Sequence, residues 1–320
     1  MTRLSLTLAC TASDRTRPIL DGRVSVPGVD FVMLPGEPED IFRRALRDRA
    51  FDVSELSMGS HIVTTARGDS AYVGVPVFPS RAFRHSAVYV RTDRGISGPA
   101  DLAGRTIGLP EYQQTAALWV RGVLREHYGV DTRGVAWRTG GERVPIALPG
   151  GLDVRPLGED LPAALAAGRL DALIAPRPPA AFEDGSAPVG RLWPDYRAEE
   201  IAWRRATGFF PIMHCIAVRR DVAERHPWLP VELFRAFVRA RDMALTELRL
   251  VNVLRVSMPW AAAAFEEQAA IMGGDPWPYG FARNRDEIAA MVRFAVTDGL
   301  AVEAIPPEAL FHPSTLAESG

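Results

Sequence analysis

The sequence predicts an α/β protein of two lobes, and three observations carry that expectation. Strand-like and helix-like hydrophobic periods alternate along the chain, the length exceeds what one core usually fills, and the composition is that of a packed globule. The chain has 320 residues, whereas single cores stop growing at about 250–300 residues, so two lobes are the working count. Hydrophobic residues make up 47% and charged residues 24%, which supplies apolar material for packed cores and gives no sign of disorder.

Taken in order, Leu4, Leu6 and Leu8 alternate with polar neighbours and read as a first strand over 4–9. A turn through Asp14, Arg15 and Thr16 leads to a second strand over 29–34. The helix predicted over 39–49 places Ile41, Phe42, Ala45 and Leu46 on one face. Strands at 51–53 and 72–77 flank a helix over 57–66, with Pro76 and Pro79 closing the later strand. This alternation implies a largely parallel sheet. A second unit follows, with a strand at 87–91, a turn and short strand within 98–108, a helix at 115–127, a strand at 154–156, a helix at 160–167 and a strand at 171–175. The Gly- and Pro-rich stretch 138–151 reads as a surface loop. A strand pattern returns at 211–219, and helices at 230–247, 258–271 and 286–298 complete the chain, with a Gly/Pro turn at 273–280.

Several function classes fall away. Basic and acidic residues balance at 37 against 39, for a formal charge of −2, so no whole-protein field draws the chain to nucleic acid or an acidic membrane. The run between Arg3 and Cys10 is too short for a secretory signal, and no later segment approaches the length of a membrane span. The expectation is a cytoplasmic protein that starts at Met1. Cys10 and Cys215 are too few for a disulfide framework and read as free thiols. No Walker-type loop, Gly-x-Ser-x-Gly elbow, His-Glu-x-x-His pair or dinucleotide-binding glycine motif is present. A metal on Glu55, His85 and His214 is conceivable, but no spacing specifies it.

Open α/β sheets bind ligands at the carboxyl ends of their strands, which marks in advance the loops to search. The segment 78–86 brings Arg81, Arg84 and His85 directly after a strand, offering bidentate donors and a group that titrates near neutrality, or simply a solvated basic loop. Ser54, Glu55, Ser57 and Ser60 lie at a strand end and a helix start, suited either to an anion or to ordinary capping. His61, further along that helix, reads as a surface or packing residue. Gln113, Gln114 and Thr115 precede a strong helix, where capping alone would explain Thr115. Arg177 sits between two prolines after a strand, as a ligand clamp would. His214 comes at the end of the run Phe209-Phe-Pro-Ile-Met-His, and a lone histidine in an apolar strand is commonly a satisfied core residue.

Together these segments resemble the 4,5-dihydroxyphthalate decarboxylase family, a branch of the type II periplasmic-binding-protein-like fold. The resemblance rests on Asp14-Arg-Thr16, Phe51-Asp-Val-Ser-Glu-Leu-Ser57, Phe78-Pro-Ser-Arg81 with Phe83-Arg-His-Ser86, Asp101-Leu-Ala-Gly-Arg105, Pro110-Glu-Tyr-Gln113 with Thr115-Ala116, Asp171-Ala-Leu173, Phe210-Pro-Ile-Met-His214 and Arg219-Arg-Asp221. It covers about residues 1–245, and the sequence departs from the family pattern at Ser13 and at Ala180-Ala181. It implies a ligand cleft between a discontinuous lobe of residues 1–90 plus 216–320 and a second lobe of 91–215. It also implies a decarboxylase for a hydroxylated aromatic dicarboxylate, with no organic cofactor, a small aromatic carboxylate as partner and self-association left open.

On that reading Arg81 and Arg177 bind the carboxylate, helped by Arg15, Arg84, Gln113, Thr115 and the Ser54–Ser57 loop. One of His85 and His214 protonates the ring, and the other or Glu55 holds the phenol proton. The alternative from another class is a solute-binding or sensing protein that closes on a small anion without chemistry.

Overall fold

The computed structural model describes residues 3–141 and 144–320; Glu142 and Arg143, within the predicted loop at 138–151, lie outside the described residues. The first unit runs β1 (Leu4–Cys10), α1 (Arg17–Leu20), β2 (Val29–Pro35), α2 (Pro38–Asp48), β3 (Val53–Ser57), α3 (Met58–Ala66) and β4 (Tyr72–Arg81). The second contains β5 (Val88–Arg91), β6 (Thr106–Leu109), α4 (Thr115–Glu126), β7 (Ala136–Thr139), β8 (Val154–Pro156), α5 (Leu161–Ala166), β9 (Ala172–Ile174), α6 (Ala180–Glu183), β10 (Val189–Arg191) and α7 (Tyr196–Thr207). The chain ends with β11 (Ile212–Arg219), α8 (Arg220–Arg225), α9 (Leu229–Leu248), α10 (Ala261–Met272) and α11 (Phe281–Thr297).

Two sheets make the two lobes. The first has the strand order β2-β1-β3-β11-β4 and the second β10-β5-β9-β6-β7-β8. β1 pairs parallel with β2 and β3, while β11 returns from the second unit and inserts antiparallel between β3 and β4. That insertion sets His214 opposite Ser57 on one side and Ser80 on the other, so the last strand to arrive completes the edge from which the loops rise. One apolar cluster runs through both lobes around Trp119, Trp203 and Phe294, and a smaller one lies under α5. Among the described residues no helix is long and apolar enough to cross a membrane.

β4 continues to Arg81 past Pro76 and Pro79 because it is an edge strand, where a missing N–H costs no ladder bond. β3 lies later than predicted because all five of its residues are buried although Ser54, Glu55 and Ser57 are polar, so hydropathy hides it. α7 was not anticipated: it buries only Glu200 and Trp203, too sparse a stripe for a helical period. The short strands β7 and β10 were missed for want of length.

Candidate active site

The centre of the site is a buried carboxylate–imidazole pair. Glu55 projects from β3 and His214 from the neighbouring β11, and Nδ1 of His214 lies 2.6 Å from Oε1 of Glu55. The side chains are 1% and 16% exposed respectively. Oε2 of Glu55 accepts the backbone N–H of Thr11 at 2.7 Å. Burial raises the Glu55 carboxyl, but the hydrogen bond and charge of His214, with the Thr11 amide, outweigh it and hold the group below its ordinary value. The edge of the Phe42 ring packs against the imidazole at 4.7 Å between centroids. Nδ1 being engaged, Nε2 is left without a protein hydrogen-bond partner among the described residues. A carboxylate on one nitrogen fixes the ring's orientation and leaves the other nitrogen to meet a ligand.

Beside this pair the lobes touch. Ser57, at the end of β3, shares a 2.8 Å hydrogen bond with the Thr115 hydroxyl at the start of α4, and Oγ1 of Thr115 accepts the Gly59 N–H at 2.9 Å. A side chain on Gly59 would come within 2.3 Å of the Gln113 carbonyl oxygen, so glycine is what lets α3 and the loop before α4 approach. The two hydroxyls predicted to bind substrate thus bind each other. Gln113 is fully buried, with Nε2 3.5 Å from Glu111 and Oε1 unpartnered. Arg15 lies with its guanidinium 3.8 Å over the Trp277 ring, donates to the Pro79 carbonyl from Nε and Nη2, and pairs with Asp14.

A pocket of about 510 Å³ opens between the lobes, with walls that include Glu39, Glu111, Gln114, Leu161, Leu173 and Arg177. Glu55 and His214 do not line it themselves. Helix α2 spans the two, with Glu39 at the pocket edge and Phe42 packed on His214. Gln114 lines this pocket, and its Oε1 is buried without a hydrogen-bond partner. Arg177 is exposed at the mouth and reaches across to Glu37 at 3.2 Å and Glu39 at 3.6 Å.

Other expected site residues are held elsewhere. Arg81 does not face the cleft: it donates to the carbonyls of Phe210 and Pro278 and to Asn284 Oδ1, and it pairs with the buried Glu287 at 3.4 Å. Its guanidinium ties the crossover between lobes to α11. His85 does not join His214. It lies in a 3₁₀ turn against Trp193 and Trp203, and burial, aided by the charge of His127, pushes it down to about 4. Arg84 contacts the Met213 sulfur, and burial against the opposing charge of Glu200 leaves it at about 10. Arg84 and His85 line a small cavity of about 10 Å³ with Trp119, Trp193 and Trp203, room for about one water molecule. Ser54 is fully buried and donates to the Glu55 carbonyl. His61 is a core residue bonded to the Leu310 carbonyl, not a surface one.

Consequently Glu55, His85 and His214 form no common ligand set, and among the described residues no group of three or more His, Cys, Asp or Glu is placed to hold a metal ion. Cys10 and Cys215 are buried and free, and burial with the nearby Glu55 charge raises both thiols. The residues that sequence reasoning did not single out for the site are Thr11, Phe42 and Trp277. Thr11 directly follows β1, and its contribution is a backbone N–H that no residue type announces.

No protein-family model matches the chain. It is 42% identical over 325 aligned positions to a 4,5-dihydroxyphthalate decarboxylase of Comamonas testosteroni, covering 99% of this chain and 98% of that one. It is 44% identical to a 4,5-dihydroxyphthalate decarboxylase of Pseudomonas putida over 65% of this chain and 84% of that one. In fold it is similar to the periplasmic sulfonate-binding protein of Methylobacillus flagellatus, with a TM-score of 0.60 at 14% identity over 99% and 93% of the two chains. The aliphatic sulphonate binding protein of Escherichia coli gives 0.56 at 13% identity over 98% and 99%. The two-lobed fold is therefore that of the periplasmic binding proteins, and by its sequence the chain belongs to the 4,5-dihydroxyphthalate decarboxylase family.

Proposed function

We propose that the protein removes one carboxylate from a hydroxylated aromatic dicarboxylate such as 4,5-dihydroxyphthalate, with His214 as the proton donor and Glu55 as the group that orients it. The observation that carries this reading is the 2.6 Å contact between them, which leaves Nε2 to act. A hydroxyl para to the departing carboxylate supplies electron density to the ring carbon that bears it. Protonated His214 transfers its Nε2 proton to that carbon. The carbon–carboxylate bond then breaks, its electron pair restores the aromatic ring and CO2 leaves; a proton from the phenol or water recharges the imidazole.

Binding falls to the pocket. Arg177 at the mouth donates to the carboxylate that is retained, exchanging its exposed partners Glu37 and Glu39 for a ligand anion. Gln114, in the pocket wall, offers its side-chain amide to a ring hydroxyl. Arg81 and Ser54 have no part in this, because both are engaged inside the protein. A pure binding role has no use for an oriented imidazole, and relatives at 42% and 44% identity carry the decarboxylase name. Purified protein supplied with 4,5-dihydroxyphthalate should release one CO2 per molecule consumed; ligand binding without CO2 release would overturn the catalytic reading.

A further inference from the structure

Helix α4 belongs to the second lobe but is embedded in the first. Trp119 donates its indole N–H to the Ile212 carbonyl at 2.9 Å, two residues from His214. At Gly122 a Cβ would lie 2.3 Å from the Phe294 ring, so α4 and α11 cross in direct contact. Within that crossing Arg121 is fully buried, pairing through Nε with Asp298 at the C-terminal end of α11 at 2.7 Å, while Arg125 reaches the other Asp298 oxygen at 2.8 Å.

Arg121 does more than join two helices. Its Nη2 donates to the Tyr112 carbonyl at 2.8 Å, and the guanidinium stacks 4.0 Å from the Tyr112 ring centroid. Tyr112 lies in the segment that supplies Glu111 and Gln114 to the pocket and Thr115 to Ser57. A single planar cation therefore links the interlobe ion pair to the backbone of the pocket wall. Lysine could keep the pairing with Asp298, but it lacks the fork that reaches two acceptors in fixed directions.

We propose that Arg121 is a positioning residue for the reaction: from inside the interlobe contact it fixes the Glu111–Thr115 segment in the geometry that receives the substrate. The inference rests on the reading of the pocket as the substrate site. Because the segment binds rather than reacts, its loosening weakens ground-state and transition-state contacts alike, which appears in KM more than in kcat.

The experiment measures kcat, KM for 4,5-dihydroxyphthalate, Tm and amide hydrogen exchange over residues 111–115 in wild type and Arg121→Lys, with Arg121→Met as the reference for lost pairing. Arg121→Lys is expected to remain folded, with KM raised about tenfold, kcat within about threefold and faster exchange at Tyr112 to Thr115. A wild-type KM and unchanged exchange would show Arg121 to be structural only. Should Arg121→Lys not fold, Asp298→Asn is expected to raise KM about threefold through the same link, and an unaltered KM there overturns the proposal. If wild type itself releases no CO2, the proposed function fails, while the exchange measurement still decides whether Arg121 holds the segment.

Discussion

Glu55 and His214 stand on adjacent antiparallel strands, with Glu55 opposite Ile216 and His214 opposite Ser57, and their side chains meet at 2.6 Å over the same face. The strand carrying His214 arrives more than 150 residues later in the chain, so the pair exists only when β11 is seated between β3 and β4. Replacing His214 by Gln should therefore lower kcat by about 10²–10⁴, the usual contribution of a positioned acid. Glu55→Gln, which keeps an acceptor but removes the charge, should lower it by at least about tenfold. Steady-state CO2 release from folded variants checks both; a His214→Gln enzyme with wild-type kcat removes His214 from the chemistry.

Arg81 should behave as a structural residue. Its removal leaves Glu287 buried without its cation, a change that costs about 3–5 kcal/mol in comparable buried pairs. Chemical denaturation of Arg81→Met should show that loss, while KM measured on the folded fraction stays near wild type. A stable variant with a selectively raised KM would place Arg81 in the substrate site after all.

Arg177 should do the reverse. Its ion pairs with Glu37 and Glu39 are exposed, and such pairs contribute about 0–1 kcal/mol. Arg177→Ala should leave Tm unchanged and raise KM several-fold, with the wild-type KM rising as salt is added. Unaltered KM in Arg177→Ala would take it out of substrate binding.

Acid should destabilise the fold before the carboxylates titrate. His61 and His85 are held at about 4, chiefly by burial, against 6.5 when free. The folded state therefore binds fewer protons than the unfolded chain, and stability that is complete above about pH 6.5 is lost as pH falls toward 4, on the order of 3 kcal/mol for each histidine. Glu55, also lowered in the fold, adds a further loss below its ordinary range. Urea midpoints between pH 7 and 4 should fall, and less steeply in His61→Gln; a flat profile would contradict the buried, neutral histidines.

Much of this was legible in the sequence, for reasons that particular residues show. The alternation of Leu4, Leu6 and Leu8 and the stripe on α2 are local signals, and both elements appear within a residue or two of their predicted limits. Glu55 reads as a candidate from its place just after the predicted strand at 51–53, and His214 from the family motif Phe210-Pro-Ile-Met-His214, but their contact depends on strand order, which no local pattern records. Arg81 and His85 follow a strand as closely as any ligand group does. Their partners in the structure, Glu287, Asn284 and Trp193, arrive from distant parts of the chain. Phe42 was assigned correctly to the buried face of its helix; that the face also supports an imidazole became visible only in three dimensions.

The most direct test of the central claim is the decarboxylation of 4,5-dihydroxyphthalate in D2O by wild type and His214→Gln, following CO2 and the position of deuterium in the product. The account predicts one CO2 per substrate and one deuterium at the carbon that lost its carboxylate in wild type, with turnover nearly abolished in a folded His214→Gln protein that still binds the substrate. Equal turnover by the two proteins would contradict it.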